Sequence, residues 1–314
     1  MDNHTLHAPD QKPVCRRDKP ILSNNDKKVT TMGEMTLAAK VTHVPTMLLS
    51  EQPGKLEGCR QPAIDGHREL GRRARAAGVD TVVILDTHWL VNAGFHINSN
   101  KHFEGVYTSH EFPHFIQNLE YSHPGAPALG DAIAAKATEK GVHTLSHQVP
   151  TLDLEYGTLV PLKFMDPDSQ FKVVSVAAWC TVHNLNDSRV LGEAIAAAIK
   201  EYDGKVMVVA SGSLSHQIWE NELYEANNGT FTISREFHKQ VDLRVLQLWE
   251  QGKYATFLKM LPEYAKFCSG EGGMHDTAML FGALGWDKYQ GKAEVLTPYF
   301  ESSGTGQTNV QFHV

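Results

Sequence analysis

The run Thr81-Val82-Val83-Ile84-Leu85 passes without a break into Asp86-Thr87-His88. A half-exposed strand would alternate apolar and polar residues, so a continuous apolar run from Val82 to Leu85 suits a strand covered by helices on both faces. Open sheets of that kind gather ligands at the carboxyl ends of their strands. His88 stands at such an end. Two other strand-like segments finish alike: Leu37–Thr42 leads into His43-Val44-Pro45, and Lys205–Ala210 leads into Ser211-Gly212-Ser213-Leu214-Ser215-His216. Histidines at three strand ends point to one shared site.

The remaining pattern supports the same architecture. A helix is predicted over Pro62–Ala77, with Ile64, His67, Leu70 and Ala74 on one face and Gly78 as its stop. Strands are expected at Ala93–Asn98, Phe171–Ala178 and Ala293–Pro298. The polar, aromatic stretch that runs to Pro127 reads as a long surface excursion, of the kind that often walls a pocket. Helices follow at Ala128–Lys140, from Asp187 as an N-cap, and near Met274–Leu284. The longest is expected over Ser234–Gln251, packing through Phe237, Val241, Val245 and Leu248. Ser302–Gln307 reads as a polar turn. Strands and helices in alternation predict one α/β domain, a mostly parallel or mixed sheet flanked by helices, with the active site at the strand C-terminal ends. Residues 1–31, rich in Asp, Asn, Lys and Pro, read as a flexible N-terminal extension to a folded body over 32–314.

Composition removes several function classes. A net charge of -7 without a basic block argues against nucleic acid as a partner. No uncharged apolar run is long enough to span a bilayer, and the start of the chain has no apolar signal segment, so a cytoplasmic protein is expected. Cys15, Cys59, Cys180 and Cys268 form no Cys-x-x-Cys pair, which disfavours a zinc knuckle, a redox motif or a disulfide framework.

Seventeen histidines make chance motifs common, so each needs a structural context. His110-Glu111-Phe112-Pro113-His114 spells the zinc-protease string, but Pro113 is incompatible with the uninterrupted helix that motif requires. Glu271 and His275 are four residues apart and able to share a helix face as a metal-ligand pair, but His275 reads as a helix-surface residue. Glu271 differs, because Gly270, Gly272 and Gly273 let its backbone approach another strand end closely. His43, His88 and Glu271 would together supply two imidazoles and a carboxylate, the set that holds non-haem Fe(II) with open positions. On residues alone this triple has no standing above other His/Glu triples, and strand-end histidines bonded to loops fit equally well. His216 is open between a satisfied loop histidine and a general acid–base near neutral pH.

Val41-Thr42-His43-Val44-Pro45, Asp86-Thr87-His88-Trp89-Leu90, Glu155-Tyr156-Gly157-Thr158-Leu159-Val160-Pro161, Ser211 to His216 and Gly270-Glu271-Gly272 resemble, in that order, the class III extradiol ring-cleaving dioxygenases. The likeness extends to Leu284-Gly285-Trp286-Asp287-Lys288-Tyr289 and to Ser302 through Gln307. It implies a catalytic domain over 32–314, meta cleavage of a catecholic substrate by dioxygen, and a homo-oligomer. It also implies Fe(II) held by His43, His88 and Glu271, with Mn(II) as an alternative the same ligands accept, and His216 as acid–base. Some relatives carry a second active-site histidine where this chain has Tyr156, so Tyr156 is either a partner in proton delivery or a pocket wall. A metal-free relative acting as a binding module is the rival reading.

Overall fold

A computed structural model describes residues 32–314. The expected extension over 1–31 lies outside the described residues. The strands are β1 (Glu34–Val41), β2 (Thr81–Val91), β3 (Phe95–Asn98), β4 (His102–Tyr107), β5 (Leu119–Pro124), β6 (Thr144–His147), β7 (Lys172–Cys180), β8 (Lys205–Ser211), β9 (Ala293–Ser302) and β10 (Thr305–Phe312). The helices are α1 (Thr46–Ser50), α2 (Gln61–Ala77), α3 (Pro127–Glu139), α4 (Tyr156–Met165), α5 (Leu185–Glu201), α6 (Asn221–Tyr224), α7 (Glu236–Glu250), α8 (Tyr254–Phe267) and α9 (His275–Leu284).

Eight strands form one mixed sheet in the order β6-β3-β7-β2-β8-β1-β10-β9. Its centre, β7-β2-β8-β1, is parallel, and antiparallel pairings join β3 to β7 and β10 to β1. The continuous apolar run of β2 is explained by two cores. Val83 and Leu85 pack with α3, α5, α8 and α9 on one face, while Val82 and Ile84 pack with α2 and α4 on the other. Register then fixes the site, because Ser211 of β8 lies opposite both Val41 of β1 and Asp86 of β2. The three histidine-bearing strand ends therefore open on the same edge.

Several expectations change in detail. The long excursion contains the β4–β5 hairpin. Helix α5 is capped by Asn184, whose side chain accepts from the backbone of Asn186 and Asp187, and Asp187 is the third residue of a capping box. Helix α7 is shorter than α2 and α5, and Phe237 points outward while His238, Asp242, Val245 and Trp249 are buried. Helices α4 and α8 carry internal prolines, Pro161 and Pro262, and were not anticipated as elements. Only Ser303 and Gly304 turn the chain between β9 and β10; Thr305, Gly306 and Gln307 already belong to the buried strand.

Candidate metal centre

The end of β1 delivers His43 and a break in the β2 ladder delivers His88. Between the pairs Asp86–Ala177 and Leu90–Trp179, three residues of β2 stand opposite one of β7, so Thr87-His88-Trp89 buckles out of register. Asp86 holds this segment. Its Oδ1 accepts the His88 backbone N–H at 2.8 Å and its Oδ2 accepts the Thr158 hydroxyl at 2.6 Å.

Glu271 arrives from the 3₁₀ turn Glu271–Met274 ahead of α9. Gly272 at φ 53°, Gly273 at φ 65° and Met274 at φ 62° are all left-handed. A side chain at Gly272 would meet the Ala178 carbonyl at 3.0 Å and the Thr87 methyl at 3.1 Å, so glycine is required there. Met274 tolerates the same region at a cost of about 1–3 kcal/mol, the kind of strain that collects at functional sites. The Glu271 backbone N–H donates to Leu214 O at 3.2 Å, which ties this turn to the loop carrying His216.

One ligand atom each from His43, His88 and Glu271 lie within 4.8 Å of one another. Glu271 Oε1 is 3.1 Å from His43 Nε2 and 3.5 Å from His88 Nε2. Its other oxygen accepts the backbone N–H of Ser213 and stands 3.9 Å from His216 Nε2. Burial opposes ionisation of this carboxylate, but His43, His216 and His88 outweigh it and hold Glu271 well below the usual carboxylate range. Burial, reinforced by His43, pushes His88 down to about 3, so its imidazole is neutral. At His43 burial disfavours the charged ring, yet Glu271 prevails and raises its pKa.

The hydrogen bonds behind His43 show that a cation fits. The Ser211 hydroxyl has one proton and gives it to Gly157 O at 2.5 Å, so its oxygen accepts from His43 Nδ1 at 2.9 Å. In the neutral ring Nε2 then carries a lone pair facing the Glu271 carboxylate. Two electron-rich atoms at that distance need a proton or a metal ion between them.

Tyr156 stands directly against this triad. Its hydroxyl is 2.6 Å from His88 Nε2 and its ring lies 3.8 Å from the His88 ring. Burial, with Glu271 nearby, drives its pKa far upward, so it remains a protonated donor. His43, His88, Tyr156, Ser213 and His216 border a cleft of 690 Å³, walled further by Phe112, His114, Trp219 and Phe231.

Other candidates fall away. His110–His114 is irregular loop; Glu111, Phe112 and His114 merely line the cleft. His275 shares no regular helix with Glu271, nor is it on the surface: it is buried against the Ser188 hydroxyl at 2.6 Å, which corrects the sequence expectation. Ser211, Thr87 and Ser213, which orient the triad, were not singled out for that role. Thr87 Oγ1 donates to Glu271 Oε1 at 2.7 Å, a contact between residues 184 positions apart that no local signal reveals.

A family model described as the catalytic LigB subunit of aromatic ring-opening dioxygenase matches residues 37–313. The chain belongs to this LigB family. It is an extradiol dioxygenase, and the family implies a metal cofactor and a catecholic substrate with dioxygen. Among LigB relatives, the 3,4-dihydroxyphenylacetate 2,3-dioxygenase of Escherichia coli is 54% identical over 272 residues, covering 87% of this chain and 98% of that protein. The 2-aminophenol 1,6-dioxygenase beta subunit of a Pseudomonas species is 24% identical, over 90% of this chain and 95% of its own. A crystal structure of an uncharacterized Escherichia coli K12 protein shares the fold, with TM-score 0.57 at 16% identity, covering 88% of this chain and 99% of that one. No helix among the described residues is long and apolar enough to cross a membrane.

Proposed function

We propose that this LigB-family enzyme opens the ring of 3,4-dihydroxyphenylacetate beside its diol, adding both atoms of dioxygen to give 5-carboxymethyl-2-hydroxymuconate semialdehyde. The observation that carries the substrate is the 54% identity across nearly the whole length of the Escherichia coli enzyme. In this reading His43, His88 and Glu271 hold Fe(II), with Mn(II) the alternative the same donors accept. Bound there, the metal would supply a meeting point for the diol and dioxygen, and a route for electron density between a singlet ring and a triplet oxidant.

The chain's own groups do the rest. His216 lines the cleft and takes a phenolic proton from the entering diol, then returns one as the ring opens, a role worth roughly 10²–10⁴-fold. Tyr156, fixed as a phenol, donates a hydrogen bond beside His88 and walls the cleft. Phe112, Trp219 and Phe231 give the cleft an apolar wall.

The folded body over 32–314 is the catalytic domain, and a cytoplasmic homo-oligomer belongs to the same reading. Exposed Leu90 and Trp179, register partners on β2 and β7, support a subunit contact, and unpaired Cys59, Cys180 and Cys268 suit a reducing compartment.

The decisive experiment reconstitutes the protein anaerobically with ferrous or manganous salt, mixes it with 3,4-dihydroxyphenylacetate and admits air. A yellow ring-opened product that disappears in His88→Ala is the expected result, and the metal giving turnover identifies the cofactor. Colour only with another catechol or an aminophenol would overturn the substrate. No product with either metal and any of these compounds would overturn the reading.

A further inference from the structure

The proposed substrate carries a carboxylate as well as a diol, and the triad accounts only for the diol. Among the described residues lining the cleft, Lys55 is the one lysine or arginine, and it makes no ion pair. Glu111 and Glu225 line the same cleft, so elsewhere its wall repels an anion. A second positive charge, Arg60, backs the wall of the same cleft. Arg60 is 4% exposed, and its guanidinium donates to Thr46 Oγ1 at 3.0 Å, Glu301 O at 3.1 Å, Thr230 O at 2.5 Å and Ser302 Oγ at 3.0 Å. Its faces are covered by Phe231 and Phe300, each 5.1 Å from the guanidinium carbon.

None of the acceptors is a carboxylate. Arg60 is thus a buried cation whose charge is met by dipoles alone, and Thr46, Thr230 and Ser302, through which it bonds, are themselves cleft-lining residues. Uncompensated charge in a low-dielectric wall is felt strongly across it. The corner is also near the reacting centre along the chain, since Thr46 follows His43 by three residues in sequence.

We propose that this corner of the cleft is the carboxylate subsite, with Lys55 pairing directly with the acid group of an arylacetate and Arg60 supporting it from behind the wall. This rests on the ring-cleavage reading and names what selects among catechols within it. Lys55 is exposed and bonded to nothing that holds the fold, so its variants will fold; Arg60, with its buried bonds, is left intact in the test.

The experiment compares kcat/KM for 3,4-dihydroxyphenylacetate, 4-methylcatechol and dopamine in wild type, Lys55→Met and Lys55→Glu, each loaded with the same metal. Lys55→Met should lower the ratio of acid to 4-methylcatechol about tenfold or more, mainly through KM, the scale of a lost charge-assisted bond. Lys55→Glu should lower it further and shift preference toward the cationic amine, which a purely structural role would not do. Unchanged ratios in both variants would overturn the subsite while leaving ring cleavage standing. Failure of wild type to open any of the three rings would overturn the proposed substrate, and the subsite with it.

Discussion

The carbonyl of Gly157 accepts the Ser211 hydroxyl at 2.5 Å, and it is free to do so because Pro161, four residues further along α4, has no N–H to offer it. A helix-interior proline thereby sets the hydrogen-bond direction at the candidate metal centre. With its proton committed to Gly157, Ser211 can only accept from His43 Nδ1, which leaves Nε2 as the donor atom toward a metal. Ser211→Ala should keep the fold and weaken metal binding about 10- to 100-fold, the usual effect of removing such a support. Titration of the metal-free protein against a competing chelator measures it, and an unchanged affinity would remove Ser211 from the metal's support.

His216 is set apart from the triad by its position. It is 27% exposed, bordering the cleft, and its backbone N–H is fixed by Ser269 O at 2.9 Å. His216→Phe should therefore bind metal as wild type does, while kcat falls by about 10²–10⁴-fold. Metal content by elemental analysis, beside steady-state rates, separates the two effects. Normal turnover in this variant would exclude His216 as the acid–base group.

The legible parts of this chain are those where one local rule decides. Strand β2 could be read because burial on both faces demands a continuous apolar run. Strand β10 could not, since its first residues, Thr305-Gly306-Gln307, fall within the expected polar turn Ser302–Gln307, and its polar side chains run on through Asn309 although every residue of the strand is buried. Their burial depends on partners far along the chain: Asn309 Oδ1 accepts the Thr42 N–H at 3.0 Å, and Gln307 Oε1 accepts the Thr42 hydroxyl at 2.5 Å. Prolines hid α4 and α8 in the same way. At the site, strand ends could be seen to converge, but residues 43, 88 and 271 could be selected from among seventeen histidines and many acids only by ordered resemblance. Residue spacing carries no term for contacts made across a sheet.

Lys40 and Asp276 form an ion pair of 2.6 Å with both side chains almost wholly buried, joining β1 just before His43 to α9 just after Glu271. Removing one member strands the other charge in the core. Lys40→Met alone should destabilise the protein by about 3–5 kcal/mol, whereas the double variant Lys40→Met/Asp276→Leu should recover most of that loss. Urea unfolding of the two single variants and the double variant gives the coupling directly. Additive losses would mean that the pair does not act as a unit.

His67 gives stability a pH dependence with a definite sign. It is fully buried on α2, with Nε2 2.9 Å from Thr42 O and Nδ1 2.8 Å from Ala63 O and 3.1 Å from Asn309 Nδ2. Burial pushes its pKa down to about 4, against an ordinary value of 6.5 in the unfolded chain. Between those values the unfolded state binds the extra proton, so stability is complete above the upper one and is lost as pH falls toward the lower. The loss attributable to this residue is up to about 3 kcal/mol. His275, also buried and pushed down to about 4, acts in the same direction, so wild type alone cannot isolate His67. Unfolding free energies of wild type and His67→Gln at neutral pH and near pH 4.5 do isolate it. The variant should be less stable at neutral pH and lose less on acidification; parallel losses would show that His67 does not take up the proton.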